Sequence, residues 1–125
     1  MESRALSDLE ALPTRQIWDG VAGRVVRGEH LTMGLLEIAP GSAVPTHQHP
    51  HEQAGVLITG SLTFTVGEES QELGPGGTWC IPGNVQHSVV AGPQGAVLVD
   101  VFAPAREDWD ALPPATESAP ASWPA

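Results

Sequence analysis

Residues 41–60 read GSAVPTHQHPHEQAGVLITG and hold three histidines, His47, His49 and His51, within five positions. Side chains alternate across an extended strand, so His47 and His49 point to the same face. Two imidazoles this close repel each other if both are protonated, but as neutral rings they can share a divalent cation. Gln53 has the same parity, and its amide oxygen can join them if the strand resumes in phase after the intervening turn. The stretch therefore predicts a metal site on an extended segment.

A second stretch, residues 76–87, supplies a further candidate ligand from a distant part of the chain. It reads GGTWCIPGNVQH, a strand-like run followed by a Pro82-Gly83-Asn84 turn and then His87. Asparagine tolerates the left-handed backbone conformation that such a turn requires. We therefore predict that a tight turn returns His87 toward the ligands of the first stretch.

Together the two stretches resemble the motifs of the cupin family. The first motif, G(x)5HxH(x)3-4E(x)6G, is met at Gly41, His47, His49 and Gly60. The second, G(x)5PxG(x)2H(x)3N, is met at Gly76, Pro82 and His87. The departures are Gln53 for glutamate, Asn84 for glycine and Ala91 for asparagine. The resemblance implies a single-domain cupin jelly-roll, a double-stranded β-helix barrel, with a metal in its mouth.

Composition independently indicates an all-β fold. Fourteen glycines and twelve prolines in 125 residues favour many turns and short strands, and about nine or ten strands can be read along the chain. We predict an N-terminal arm at residues 1–14, the cupin β-barrel domain at residues 15–112 and a flexible Pro/Ala-rich tail at residues 113–125. By analogy with the family, we expect a homodimer that covers exposed sheet edges.

Charge and cysteine content limit the partners and the location. The net charge is −10, with five arginines and no lysine, which disfavours nucleic acids and anionic membranes as partners. No apolar run is long enough to cross a membrane, and no basic, apolar leader is seen. The single Cys80 cannot form an internal disulfide, so a cytoplasmic location is expected. We predict a small-molecule substrate; an anionic one must be bound by the metal or by a specific arginine.

Glycines divide the predicted strands. Residues 54–59 and 62–66 are predicted as two strands joined by a tight turn at Gly60. Residues 88–91 and 96–102 are predicted as two more, separated by a loop. Cys80 and its neighbour Trp79 are both predicted as core residues.

Asp100 lies in the apolar run AVLVDVF of residues 96–102. A carboxylate buried among valines costs several kcal/mol unless it is paired or used. Strand parity places Asp100 and Phe102 on one face, opposite Val99 and Val101. If that face lines the barrel, Asp100 is a candidate general acid or base near the metal. The alternative is a structural carboxylate that pairs with Arg106 or turns to solvent.

A closer resemblance extends over three segments, HPHEQAGVLITG (49–60), IPGNVQHSV (81–89) and VDVFAPARED (99–108). They are similar to the small cupins of the pectin-degradation type, which linearise 4,5-unsaturated uronates. The resemblance implies a metal held by three histidines and a glutamine. Those candidate ligands are His47, His49, Gln53 and His87. It also implies a pocket lined by the candidate catalytic residues Asp100, Phe102 and Arg106.

The implied reaction opens a hemiacetal ring and converts an enol to a ketone. A cation with four neutral ligands keeps its full charge and can stabilise a developing oxyanion. Asp100 can then move the proton, Arg106 can hold the substrate carboxylate, and Phe102 can shape the pocket wall.

Two other classes of function fit the same residues. One is a cupin dioxygenase or polyketide cyclase, against which Gln53 weighs, because dioxygenases more often use a glutamate ligand. The other is a non-catalytic cupin that binds a small ligand, with the metal as a structural element. The ligand set suits zinc, nickel, iron, manganese or copper.

Overall fold

The computed structural model describes residues 5–115 and Trp123. The first four residues of the predicted arm and most of the predicted tail, residues 116–122 and 124–125, lie outside the described residues. No helix in the described part of the chain has the length and apolar character needed to cross a bilayer.

The described chain is built from strands, as the composition predicts. Short 3-10 segments, Leu9–Ala11 and Glu107–Ala111, flank the strands at either end. The eight strands are β1 (Arg15–Trp18), β2 (Val21–Arg27), β3 (Thr32–Ile38), β4 (Ala43–His47), β5 (Glu52–Val66), β6 (Glu69–Leu73), β7 (Thr78–Ile81) and β8 (His87–Ala103). The prediction of an all-β fold is confirmed.

All strand pairs are antiparallel, in the order β1-β2-β3-β8-β5-β6. Strands β4 and β7 join this sheet by pairing with β8 and β5. The first half of β5 pairs with β7 and its second half with β6, while β8 is divided likewise between β4 and β3. The two longest strands, β5 and β8, therefore pair with different neighbours along their two halves. This pairing lets the sheet fold back on itself into a barrel.

The predicted breaks in β5 and β8 are wrong. Both strands run through them, and the β5–β8 register shifts twice, between Leu57 and Thr59 and between Gly60 and Leu62. Gly60 has φ +84°, and a Cβ atom there would collide with the carbonyl of Gly95. The glycine therefore permits a β-bulge, where the strand bends while its pairing continues.

We expect Gly60→Ala to lower the free energy of unfolding by about 2–4 kcal/mol, because it combines a positive φ with overpacking against backbone. Gly74→Ala is the matched control, since a Cβ at Gly74 meets no atom within 4 Å. Urea denaturation of both variants measures the difference. Equal stabilities would show that the bulge does not require glycine.

The core fills the interior of the barrel, which also holds the buried candidate site residues. The buried apolar side chains include Leu57, Leu62, Ile81 and Leu98, each at most 2 % exposed. The buried polar or charged side chains among the described residues are Thr32, His49, Gln53, His87 and Asp100. Burial of so many polar groups requires specific partners for each.

Strand alternation and pairing also place Cys80 and the start of the predicted tail. Trp79 is buried as predicted, but Cys80 is exposed, because adjacent side chains on β7 face opposite sides. Residues 113–115, assigned to the tail, continue the pairing beyond β1. The amide of Gln16 donates to Pro113, and the amide of Ala115 donates to Thr14.

Candidate metal centre

The four candidate ligands come from three strands and one loop. His47 ends β4 and pairs directly with His87, the first residue of β8. His49 lies in the link from β4 to β5, and Gln53 is the second residue of β5. The predicted turn before His87 is present: Asn84 has φ 66°, and its amide donates to the carbonyl of His49 at 2.7 Å. The turn thus anchors the histidine loop as well as returning the chain.

The three histidine rings converge. Ring centroids are 4.3 Å apart for His47 and His87, 4.9 Å for His49 and His87, and 5.6 Å for His47 and His49. One ring nitrogen from each lies within 4.8 Å of the other two. The three histidines that the sequence motifs singled out therefore lie together.

Each ring is oriented by a carbonyl of the main chain. Nδ1 lies 2.8 Å from the Pro45 carbonyl in His47, 3.0 Å from that of His51 in His49, and 2.8 Å from that of Val85 in His87. A carbonyl oxygen can only accept, so Nδ1 carries the proton in all three rings. In the neutral form of each ring the lone pair then lies on Nε2, and this is the form in which histidine binds metal.

Two of the Nε2 atoms have no protein hydrogen-bond donor among the described residues. His87 Nε2 is buried and has no hydrogen-bond partner among the described residues. His49 Nε2 lies 3.1 Å from Oε1 of Gln53. Burial, and then the charges of Arg106 and His87, lower the pKa of His49 to about 4, so its ring is neutral near pH 7. A cation would give the lone pair of His87 Nε2 a partner, and it would also relieve the repulsion between two facing acceptors, His49 Nε2 and Gln53 Oε1. The residues therefore fit a divalent metal.

Two nearby polar residues, His51 and Glu52, do not join the cluster. His51 offers its carbonyl to His49, and its ring centroid is 5.5 Å from that of His49. Glu52 is exposed, as its opposite parity to Gln53 predicts. An alternative ligand set that uses Glu52 is therefore incompatible with the observed strand orientation.

Asp100 lies on the inner face of β8 with Phe102, as parity predicts, and is 5 % exposed. Its Oδ1 accepts a hydrogen bond from the indole Nε1 of Trp79 at 2.7 Å, and the carboxylate also accepts from the side chain of Gln53. Burial raises the pKa of Asp100 to about 6, and the hydrogen bonds from Gln53 and Trp79 and the charge of Arg106 oppose that rise. Asp100 thus contacts a candidate metal ligand directly.

Arg106 does not pair with Asp100, which was the structural alternative for that carboxylate. It holds Asp108 instead, through Nη2 at 2.8 Å and Nε at 3.3 Å. This bond holds the pKa of Asp108 below its usual range. The guanidinium lies over the rings of Phe102 at 4.9 Å and Trp109 at 4.6 Å. The two aromatic rings hold the plane of the Arg106 guanidinium, and the pairing with Asp108 fixes its rotation within that plane.

One cavity of about 50 Å³ is lined by most of the candidate site residues: His47, Gln53, His87, Asp100, Phe102 and Arg106. Two tryptophans form further walls of the cavity. Trp109, which the sequence offered either as a cap on the barrel or as an interface residue, packs edge-on against Phe102 at 4.8 Å. Sequence reasoning missed Trp18, whose ring lies 5.3 Å from that of His47. Trp18 belongs to a short strand whose place beside the cavity depends on distant residues, so local sequence gives no signal for it.

Comparison with known families agrees with this geometry. The profile of the cupin domain matches residues 34–102, more than half of the chain. The chain belongs to the cupin family. As a cupin with three clustered histidines, it has the ligand arrangement of a metal-binding member.

Three relatives indicate where in the family the chain lies. It is 28% identical to the pectin degradation protein KdgF of Dickeya dadantii over 99 residues, covering 78% of this chain and 90% of KdgF. It is 31% identical over 75 residues to the dimethylsulfoniopropionate lyase DddW of Ruegeria pomeroyi, covering 60% of this chain but 49% of DddW. An RmlC-like cupin from Shewanella frigidimarina superposes with a TM-score of 0.80 at 27% identity, covering 86% of this chain and 96% of that structure.

Proposed function

We propose that this cupin is a metal-dependent enzyme that opens the ring of an unsaturated uronate or a similar sugar acid. One observation carries the proposal: a buried carboxylate, Asp100, interacts with the candidate ligand Gln53 beside a cluster of three histidines. The similarity to KdgF, a pectin degradation protein, supports the choice of substrate class.

His47, His49, Gln53 and His87 would hold the ion. Because all four are neutral, a bound divalent ion retains its charge and supplies Lewis acidity to a hydroxyl or ring oxygen. The protein orients the three imidazoles in advance through the carbonyls that hold their Nδ1 protons. Because the imidazoles are already oriented, they need little reorganisation during the reaction.

Asp100 moves the proton in this proposal. It takes the proton of the hemiacetal hydroxyl while the ring carbon–oxygen bond breaks, leaving an aldehyde and an enolate. It then gives that proton to carbon as the enolate becomes a ketone, so the sequence is a net isomerisation. Because burial raises its pKa to about 6, Asp100 can both accept and release a proton near neutral pH.

Arg106 and the aromatic residues bind and orient the substrate. Asp108 occupies the Nε–Nη2 edge of the guanidinium, so the remaining N–H groups are those of Nη1 and the second hydrogen of Nη2. These can hold the substrate carboxylate. Trp18, which is 38 % exposed, lines the same cavity.

We expect Arg106→Lys to raise KM for an anionic uronate by about 10- to 100-fold, since an ammonium cannot reproduce the planar fork or the stacking. Steady-state kinetics over a range of substrate concentrations measures it. The matched control is Arg27→Lys, because Arg27 also pairs with an aspartate, Asp110, but does so away from the cavity. An unchanged KM in Arg106→Lys would remove the assigned role.

The proposal is tested by turnover. Purified, metal-loaded protein is offered a 4,5-unsaturated galacturonate, and the loss of ultraviolet absorbance of the conjugated double bond is followed. A chelated sample and Gln53→Ala run alongside. Loss of absorbance that depends on metal and is slowed in Gln53→Ala supports the proposal, whereas no turnover by the metal-loaded protein overturns it.

A second candidate is a lyase reaction on a small carboxylate, favoured by the 31% identity to DddW. It uses the same parts, a cation, a proton-accepting Asp100 and Arg106 for the carboxylate. Dimethylsulfoniopropionate is therefore included in the assay, with release of dimethyl sulfide as the readout. Turnover of that compound without turnover of the uronate would replace the first proposal by the second.

A further inference from the structure

Trp79, Gly55 and Asp100 form a cross-strand row. Gly55 on β5 pairs with Trp79 on β7 and, on its other side, with Asp100 on β8. A Cβ atom at Gly55 would lie 2.5 Å from both Cε2 and Nε1 of the indole. The indole therefore lies over the bare backbone of Gly55, and this allows its N–H to reach across to Asp100 at 2.7 Å.

The Gln53 amide faces both the histidine cluster and Asp100. Its Oε1 lies 3.1 Å from His49 Nε2, which turns the NH2 the other way. A hydrogen bond from the Gln53 side chain helps to lower the pKa of Asp100, and because a carboxylate only accepts, the NH2 is the donor. A flipped amide would present its NH2 to the cluster, and an NH2 group cannot bind a cation.

We propose that Trp79 is a positioning residue for the metal ligand Gln53. Its indole N–H holds the Asp100 carboxylate in place, and that carboxylate in turn holds the amide with its oxygen toward the three histidines. This inference rests on the metal centre of the proposed function and is independent of the identity of the substrate. Gly55 is part of the same device, since a side chain there would displace the indole.

Trp79 also packs against Phe64, with ring centroids 4.9 Å apart, so loss of packing must be separated from loss of the hydrogen bond. Trp79→Phe keeps an aromatic ring and removes the N–H. Leu62→Val is the matched packing control, because Leu62 is a core residue 1 % exposed on the same strand as Gln53 and does not line the cavity.

The measurement is Co²⁺ affinity by chelator competition, together with the visible absorption spectrum of bound Co²⁺. We expect Trp79→Phe to weaken Co²⁺ binding by about 10- to 100-fold and to alter the spectrum, as for other groups that orient ligands. Leu62→Val should leave the spectrum unchanged. Wild-type affinity and an unaltered spectrum in Trp79→Phe would overturn the proposal, whatever the outcome of the turnover assay.

A double-mutant cycle tests whether Trp79 acts through Gln53. In a Gln53→Ala background, Trp79→Phe should change Co²⁺ affinity by less than about twofold, since the residue it positions is gone. Full additivity of the two losses would show that Trp79 acts by another route and would overturn the proposal.

A measurement on the folded wild-type protein covers the case in which Trp79→Phe does not fold. Zn²⁺ should shift the NMR resonance of the Trp79 indole N–H, and the shift should be smaller in Gln53→Ala. A resonance that Zn²⁺ leaves in place, or that it shifts equally in both proteins, would overturn the proposal.

Discussion

Replacing His87 by alanine will lower divalent-metal affinity by at least about 100-fold, beyond the 10- to 100-fold typical of groups that only support a ligand. His87 is 3 % exposed, and its Nε2 is buried without a hydrogen-bond partner in the described part of the chain. Its Nδ1 is committed to the carbonyl of Val85, so the ring cannot turn to use the other nitrogen. Metal content after dialysis, and titration with Zn²⁺ or Ni²⁺, measure the loss.

His51→Ala is the matched control for this experiment. It removes an imidazole from the same neighbourhood but from outside the converging cluster, so affinity should stay within about threefold of wild type. Metal should raise the melting temperature of the wild type and of His51→Ala, but not that of His87→Ala, because a ligand stabilises only a fold that binds it. Tight metal binding by His87→Ala would show that the ion does not lie at this cluster.

The sequence singled out these candidate ligands from short motifs. Strand parity was the argument that related His47 to His49, but His49 lies beyond the end of β4, in the link to β5. The turn at Asn84 requires a residue that accepts a positive φ, as observed. The convergence of His47 and His87 depends on a long-range strand pair. Local sequence could not supply that pair, and the resemblance to cupin motifs supplied it.

The strand boundaries in β5 and β8 failed for the opposite reason. Gly60 is suited both to a tight turn and to a bulge, since each permits a positive φ. A turn forms if the pairing with the neighbouring strand stops at the glycine, and a bulge forms if it continues. Here the pairing continues, because β8 passes alongside Gly60 at Gly95 and Ala96. A short-range pattern therefore predicted the location of the irregularity but not its kind.

The polar contacts of the site were beyond sequence reasoning as well. Trp79 was correctly predicted as a core residue, yet nothing in the local pattern indicates that its N–H reaches Asp100 over Gly55. Asp100 and Asp108 were both possible partners for Arg106, and it pairs with Asp108, two residues further along the chain. Side-chain pairing of this kind depends on rotamers that three or more elements determine together.

Asp100→Asn will reduce kcat for uronate ring opening by about 10²- to 10⁴-fold, the usual contribution of a positioned general acid or base. Asparagine is nearly isosteric, and its carbonyl oxygen can still accept from Trp79, but it cannot take up a proton. The loss should appear at saturating metal and substrate, so that weaker binding of either does not contribute. Initial rates of the ultraviolet assay measure it.

Two controls decide what such a loss means. Asp110→Asn makes the same chemical change at an exposed carboxylate that pairs with Arg27 outside the cavity, and it should retain turnover. Metal content and Co²⁺ spectra of Asp100→Asn then separate proton transfer from ligand orientation. A fully loaded variant with a wild-type spectrum and little turnover assigns the proton to Asp100. Wild-type turnover by a folded Asp100→Asn would leave the carboxylate with the orienting role alone, and another group would have to move the proton.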